Sequence, residues 1–123
     1  MHTVHIQNHS QPLNAPLQAG WCSSALCRLR GLTFRRALSA DEGLLLVGPR
    51  DSRMDAAIHM MFVFFDLGIV WINDVGEVVD ARLAKRWVSL MAPTSPARYT
   101  LEVHPERLSE FHIGDQIEFA ESA

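Results

Sequence analysis

Basic residues are scarce in this chain: 11 Lys and Arg stand against 14 Asp and Glu, a formal net charge of −3. Affinity for a phosphate backbone accumulates from Lys and Arg, so the composition excludes a general polyanion binder. Aromatics are also few, at 8%, and no strand interleaves them with basic residues as single-stranded nucleic acid requires. Long hydrophobic runs are missing as well. The most apolar segment, Ile58 to Ile72, is interrupted by Asp66 and Gly68, whereas a membrane helix needs about twenty apolar residues in a row. The first residues, MHTVHIQNHSQPLNAPLQAG, have neither the positive start nor the apolar stretch of a secretory signal. There is no Gly-rich phosphate loop and no serine in a G-x-S-x-G elbow. Neither nucleic acid nor membrane is therefore an expected partner.

Cysteine is limited to Cys22 and Cys27. Five positions apart, they would lie about 140° apart on a helix and on opposite faces of a strand, and neither arrangement favours a mutual disulfide. No second pair exists to complete a zinc site. The expectation is two reduced thiols in a cytoplasmic protein without metal or cofactor. His2, His5 and His9 sit on a terminus that has nothing to hold three ligands in one geometry, so they are not read as a metal site.

What the chain does contain is enough apolar material, 48% against 20% charged, for one core at 123 residues, and one domain over 1–123 is expected. Residues 1–40 hold four arginines and no acid, while 99–123 hold six acids and one arginine. These read as solvated faces of opposite sign, with an anion site around Arg28 to Arg36 as the functional alternative.

Along the chain, His2 to Asn8 reads as an edge strand, and Trp21, Ala25, Leu29 and Leu32 recur at helical spacing toward a stop at Gly31. GLLLV, Gly43 to Val47, reads as a buried strand closed by Gly48 and Pro49. The runs Ile58 to Phe65 and Leu67 to Ile72 are rich in β-branched and aromatic residues and predict two strands meeting near Asp66. NDVG, Asn73 to Gly76, then turns into a strand over Glu77 to Leu83. Tyr99, Leu101 and Val103 alternate with Thr100 and Glu102, a strand with one wet face. Pro105 opens a short helix, and Ile117 and Phe119 point inward from a last strand. The sum is a mainly β, compact antiparallel sandwich or barrel-like domain with one or two short helices.

Several of these stretches resemble the DUF 192 family, in order: RLRGLTFR at Arg28 to Arg35, DEGLLL at Asp41 to Leu46, IHMMFVFF at Ile58 to Phe65, VWINDVGEVVDA at Val70 to Ala81, PARYTLEV at Pro96 to Val103 and IGDQIEF at Ile113 to Phe119. The resemblance implies a mainly β, sandwich-like domain and brings no established reaction. The family commonly carries Pro, an aliphatic residue and Asp where this chain has Asp66, Leu67 and Gly68, so an activity resting on that Asp does not transfer to Gly68.

Four residues stand out as candidate ligand-binding groups. His59 enters an apolar stretch, where a buried imidazole needs a polar partner. Arg30 precedes the helix-ending Gly31, from where a guanidinium reaches carbonyls or a carboxylate. Trp87 follows Lys85 and Arg86, an indole beside two cations. Arg98 opens the PARYTLEV strand, where it braces the Pro96 loop or faces a cavity mouth. The leading expectation is a non-catalytic module that binds a small polar or anionic ligand in a cleft lined by Arg30, His59, Trp87 and Arg98. Two alternatives are an accessory domain that binds a protein through an exposed sheet edge and an inconspicuous hydrolase-like enzyme using His59 with Asp66. Ligand identity and oligomeric state are not legible.

Overall fold

The computed structural model describes residues 2–32, 37–60, 63–87 and 90–121. Seven strands, β1 (Thr3–Asn8), β2 (Gln18–Cys22), β3 (Glu42–Ser52), β4 (Leu67–Ile72), β5 (Val78–Ala84), β6 (Ala97–Val103) and β7 (Ile117–Glu121), form one sheet in the order β5-β4-β6-β3-β2-β1-β7. A short helix, α1 (Ala25–Arg30), follows β2, and a 3-10 helix over Pro105–Glu110 follows β6. Every pairing is antiparallel except β2 with β3. The sheet curls until its ends meet: Val78 N–H donates to the Asp115 carbonyl and Ile117 N–H to the Gly76 carbonyl. The mainly β architecture is the one expected from the strand pattern.

Alternation along the strands builds two cores. The inner face of the curl gathers Val4, Ile6, Leu45, Val47, Val70, Ile72, Leu101 and Val103. The outer face carries Leu44, Leu46, Ile69 and Trp71, covered by Leu32 and by Ala56, Ile58, Met60 and Val63. Trp71 is fully buried there and donates its indole N–H to the Ala56 carbonyl at 2.8 Å, which fixes the covering segment to the sheet.

The turn between β4 and β5 follows its sequence signal. Gly76 N–H donates to the Asn73 carbonyl, and Gly76 has φ +87°. A Cβ there would stand 2.6 Å from the Ile117 carbonyl oxygen. Gly76→Ala therefore strains the turn and the sheet closure together, and we expect a loss of more than about 1 kcal/mol in urea unfolding.

Several expectations are corrected. Residues 58–65 do not form a strand beside β4: Ile58 makes an isolated bridge with Met91, Val63 to Phe65 lie outside any strand, and Met61 and Phe62 lie outside the described residues. β4 pairs instead with β5 and β6. Of this run Ile58, Met60 and Val63 are buried and cover the outer core, a role that needs hydrophobicity without a ladder. β1 is no edge strand, since β2 and β7 flank it. Trp21 belongs to β2, not to α1, and packs near Tyr99 and Phe119 at ring separations of 6.4 and 6.3 Å. β3 runs on through Gly48 and Pro49 by way of a register shift between Val47 and Ser52.

Gly68 is buried in β4, and a Cβ there would sit 3.1 Å from Leu108 Cβ and Val103 Cγ2. Leu108 of the 3-10 helix and Val103 of β6 thus leave little room for a side chain at this position.

Candidate functional site

α1 is too short to hold itself in place by helix formation alone. Ser24 caps it, its hydroxyl accepting the Cys27 N–H at 3.1 Å. Gly31 ends it with φ 52° and returns its N–H to the Cys27 carbonyl at 2.9 Å. None of its residues is fully buried, so its position depends on ties to the rest of the molecule. One is a hydrogen bond between His59 Nε2 and the Leu29 carbonyl at 3.1 Å.

The other tie corrects the expectation of free thiols: Cys22 and Cys27 form a disulfide, with Cα atoms 5.6 Å apart. Spacing arguments on a single helix or strand fail because the pair straddles both elements. Cys22 closes β2 and Cys27 lies in α1, with the bend at Ser23 and Ser24 between them. The thiol-based argument for a reducing compartment goes with it. Closing so short a loop stabilises by about 2 kcal/mol in the chain-entropy view. We expect Cys22→Ala/Cys27→Ala to lower unfolding free energy by that order and to speed amide exchange in α1 ahead of the sheet.

Beneath α1 lies Glu102, in β6 between Leu44 of β3 and Ile69 of β4. Its side chain shares the outer face with Thr100, and the two residues are only 4% and 2% exposed. The face expected to be wet is dry because α1 and residues 56–60 cover it. Burial pushes the Glu102 carboxyl up to about 8, so it is predominantly a neutral acid at pH 7.

Glu102 forms the floor of a cavity of about 30 Å³ whose walls include Arg28, Arg30, Gly31, Val63 and His59. Buried polar atoms are almost always hydrogen-bonded. Among the described residues four such side-chain atoms have no partner, and three of them, Arg28 Nε, His59 Nδ1 and Glu102 Oε1, belong to residues lining this one cavity. The carboxyl is close under the helix end: a Cβ on Gly31 would be 3.7 Å from Glu102 Oε1. Neither arginine has an ion-pair partner among the described residues, so the cavity wall carries two uncompensated cations.

Of the candidates read from sequence, Arg30 and His59 meet in this cavity, and Trp87 and Arg98 lie outside it. Arg98 donates to the Asp74 carboxylate at 2.7 Å and to the Gly48 carbonyl at 3.1 Å, bracing two turns. Trp87 has a positive φ of 66° and packs on Phe64 at a ring separation of 5.7 Å. Asp66 accepts from the Arg86 backbone N–H at 2.9 Å and its guanidinium at 3.3 Å, with Lys85 Nζ 4.0 Å away. The Arg86 N–H leads the influences that hold its carboxyl below the usual range. No hydrogen bond or ion pair joins Asp66 to His59, so the catalytic pairing has no geometric support. Arg35 and Arg36 of the anion-site alternative lie outside the described residues. His9 Nε2 meets Glu118 at 2.8 Å, and His2 stacks on Trp21 at 5.3 Å. Sequence reading offered Arg28 only within the anion-site alternative and missed Glu102, for which the one available signal was an acid in the middle of a strong strand.

Comparison with known proteins places this geometry in a family. The DUF192 model (Uncharacterized ACR) matches residues 4–119. The chain is 35% identical over 94 residues to a UPF0127 protein of Thermococcus kodakarensis, covering 75% of this chain and 58% of that one. It is 28% identical over 117 residues to one of Pyrococcus horikoshii, covering 93% and 97%. A third relative, from Thermococcus gammatolerans, is 35% identical over 75 residues, with 61% and 47% covered. The matches thus span about half the length of two of these relatives and nearly all of the other. Among solved structures, a protein of unknown function from Novosphingobium aromaticivorans superposes with a TM-score of 0.79 at 20% identity, covering 94% and 83%. A Sinorhizobium meliloti protein, a candidate transcription regulator, gives 0.82 at 19%, covering 96% and 92%. At these identities the two structures establish the shared fold alone. By the extent of the family match, this chain belongs to the DUF192 family of uncharacterised proteins.

Proposed function

We propose that the chain works as one non-catalytic binding domain that accepts a small polar or anionic group in the cavity under α1. One observation carries this reading: three buried polar atoms without partners converge on one cavity, where a buried unpaired polar group costs about 1–3 kcal/mol. A fold that keeps three such atoms around one space is arranged for a guest that satisfies them. Arg30 and His59 serve as ligand-binding residues, joined by Arg28 and Glu102. Catalysis receives no comparable support, since His59 is tied to a backbone carbonyl and not to a carboxylate.

The test is a titration of labelled protein with isovalerate and with isovaleramide, followed by NMR at the His59 ring and the Arg28 Nε–H. Saturable shifts at these groups with at least one probe are expected in the parent protein and lost in Glu102→Leu, which fills the floor with an apolar side chain. Absence of saturable shifts with both probes contradicts a binding role for the cavity.

A further inference from the structure

Resting on that reading, we infer that the group received under α1 is the carboxylate of a small apolar monocarboxylic acid, held by Arg28 Nε–H, the Glu102 carboxyl and the His59 ring. The donor count supports it. His59 Nε2 lies 3.1 Å from the Leu29 carbonyl, an acceptor only, so Nε2 carries the proton and Nδ1 is the free nitrogen. Nδ1 accepts in the neutral ring and donates once the ring is protonated. Glu102 as a neutral acid donates its O–H, and Arg28 Nε–H donates in every state. With that ring protonated the cavity offers three donors to two carboxylate oxygens, and with it neutral the Glu102 O–H and the Arg28 Nε–H supply one donor to each.

Charge separates an anion from a neutral amide, which could also satisfy the three atoms. Among the described residues Arg28 and Arg30 line the cavity without an ion-pair partner, and the one acid in its wall, Glu102, is kept neutral by burial. The site is therefore positive when empty, and a carboxylate compensates it where an amide does not. Size and lining set the rest. A water needs roughly 10–15 Å³ of such space, so about 30 Å³ admits a carboxylate head, while phosphate brings four oxygens to three donors. Leu29, Leu32, Ile58 and Val63 are among its apolar wall residues, with Leu29 68% exposed at the rim, an apolar surround for a short hydrocarbon substituent.

Calorimetric titration of the intact chain at pH 7 with isovalerate, isovaleramide and inorganic phosphate tests the assignment. Isovalerate is expected to bind at least about tenfold more tightly than isovaleramide and to be displaced poorly by phosphate. His59→Asn should keep the fold, judged by its melting transition, and weaken isovalerate binding. Equal affinity for the amide leaves the cavity as a binding site and overturns the carboxylate assignment, as does preferential binding of phosphate. Failure of all three probes to bind overturns both readings.

Discussion

Glu102→Gln is expected to flatten the alkaline side of the stability profile and to leave the protein more stable than its parent at pH 9. The side chain is 4% exposed, and burial raises its pKa from an ordinary 4.5 to about 8. Across that window the native state holds a proton that the unfolded chain has released. Stability contributed by the neutral acid is therefore full below pH 4.5 and is lost as pH rises toward 8, by about 1.4 kcal/mol per pH unit. The whole loss is on the order of several kcal/mol, large against a typical domain stability of about 5–15 kcal/mol. Glutamine keeps the shape and cannot ionise. Urea unfolding at intervals from pH 4 to 9 isolates this group as the difference between variant and parent, and profiles that run parallel would show that Glu102 is not buried as an acid.

Arg107→Met should be the most damaging single change outside the two cores. The guanidinium is buried and donates to both carboxylate oxygens of Glu110, to the Ala40 carbonyl at 2.6 Å and to the Ala15 carbonyl at 2.7 Å. Glu110 in turn accepts the Asn14 N–H at 2.8 Å. One ion pair thus ties the 3-10 helix to the β1–β2 connection and to the turn before β3. Removing the cation leaves a buried carboxylate uncompensated, which costs about 3–5 kcal/mol. Replacing both members with apolar residues, Arg107→Met with Glu110→Leu, should recover much of the loss. Burial by itself would raise the Glu110 pKa, yet the bonds from Arg107 and Asn14 and the Arg107 charge prevail and hold it below 4.5. This contribution is present above pH 4.5 and fails as pH falls through the depressed value. Glu110 therefore contributes to the acid limb of the stability curve and Glu102 to the alkaline limb.

Local chemistry was legible in the sequence where one residue decides the backbone. Gly31 ends α1, Asn73 to Gly76 turn β4 into β5, and Pro105 opens the 3-10 helix, as their conformational preferences dictate. Alternation located β6 and the inward pair Ile117 and Phe119. The same alternation could not tell what covers the second face of a sheet. A strand reading T-L-E-V looks half wet until α1 and the 56–60 segment are known to lie on it, so Glu102 was passed over. Hydrophobicity marked 58–65 as buried but could not distinguish a strand from a lid, and both satisfy the same burial. The cysteine pair failed for a related reason, because the geometry expected within one element does not describe two elements joined at a bend. His59 and Arg30 were found from their surroundings, while Arg28, the neighbour whose Nε is buried, entered only as one end of the anion-site alternative.

Carbon-detected NMR of the Glu102 carboxyl, titrated from pH 4 to 10, reads the central claim directly. A neutral acid beneath α1, beside Arg28 and His59, titrates with a midpoint near 8, and isovalerate should move that midpoint upward by keeping the proton in place. A midpoint at the ordinary value of 4.5, unmoved by isovalerate, would mean that the carboxyl is ionised and solvated, and that no binding cavity of this chemistry exists.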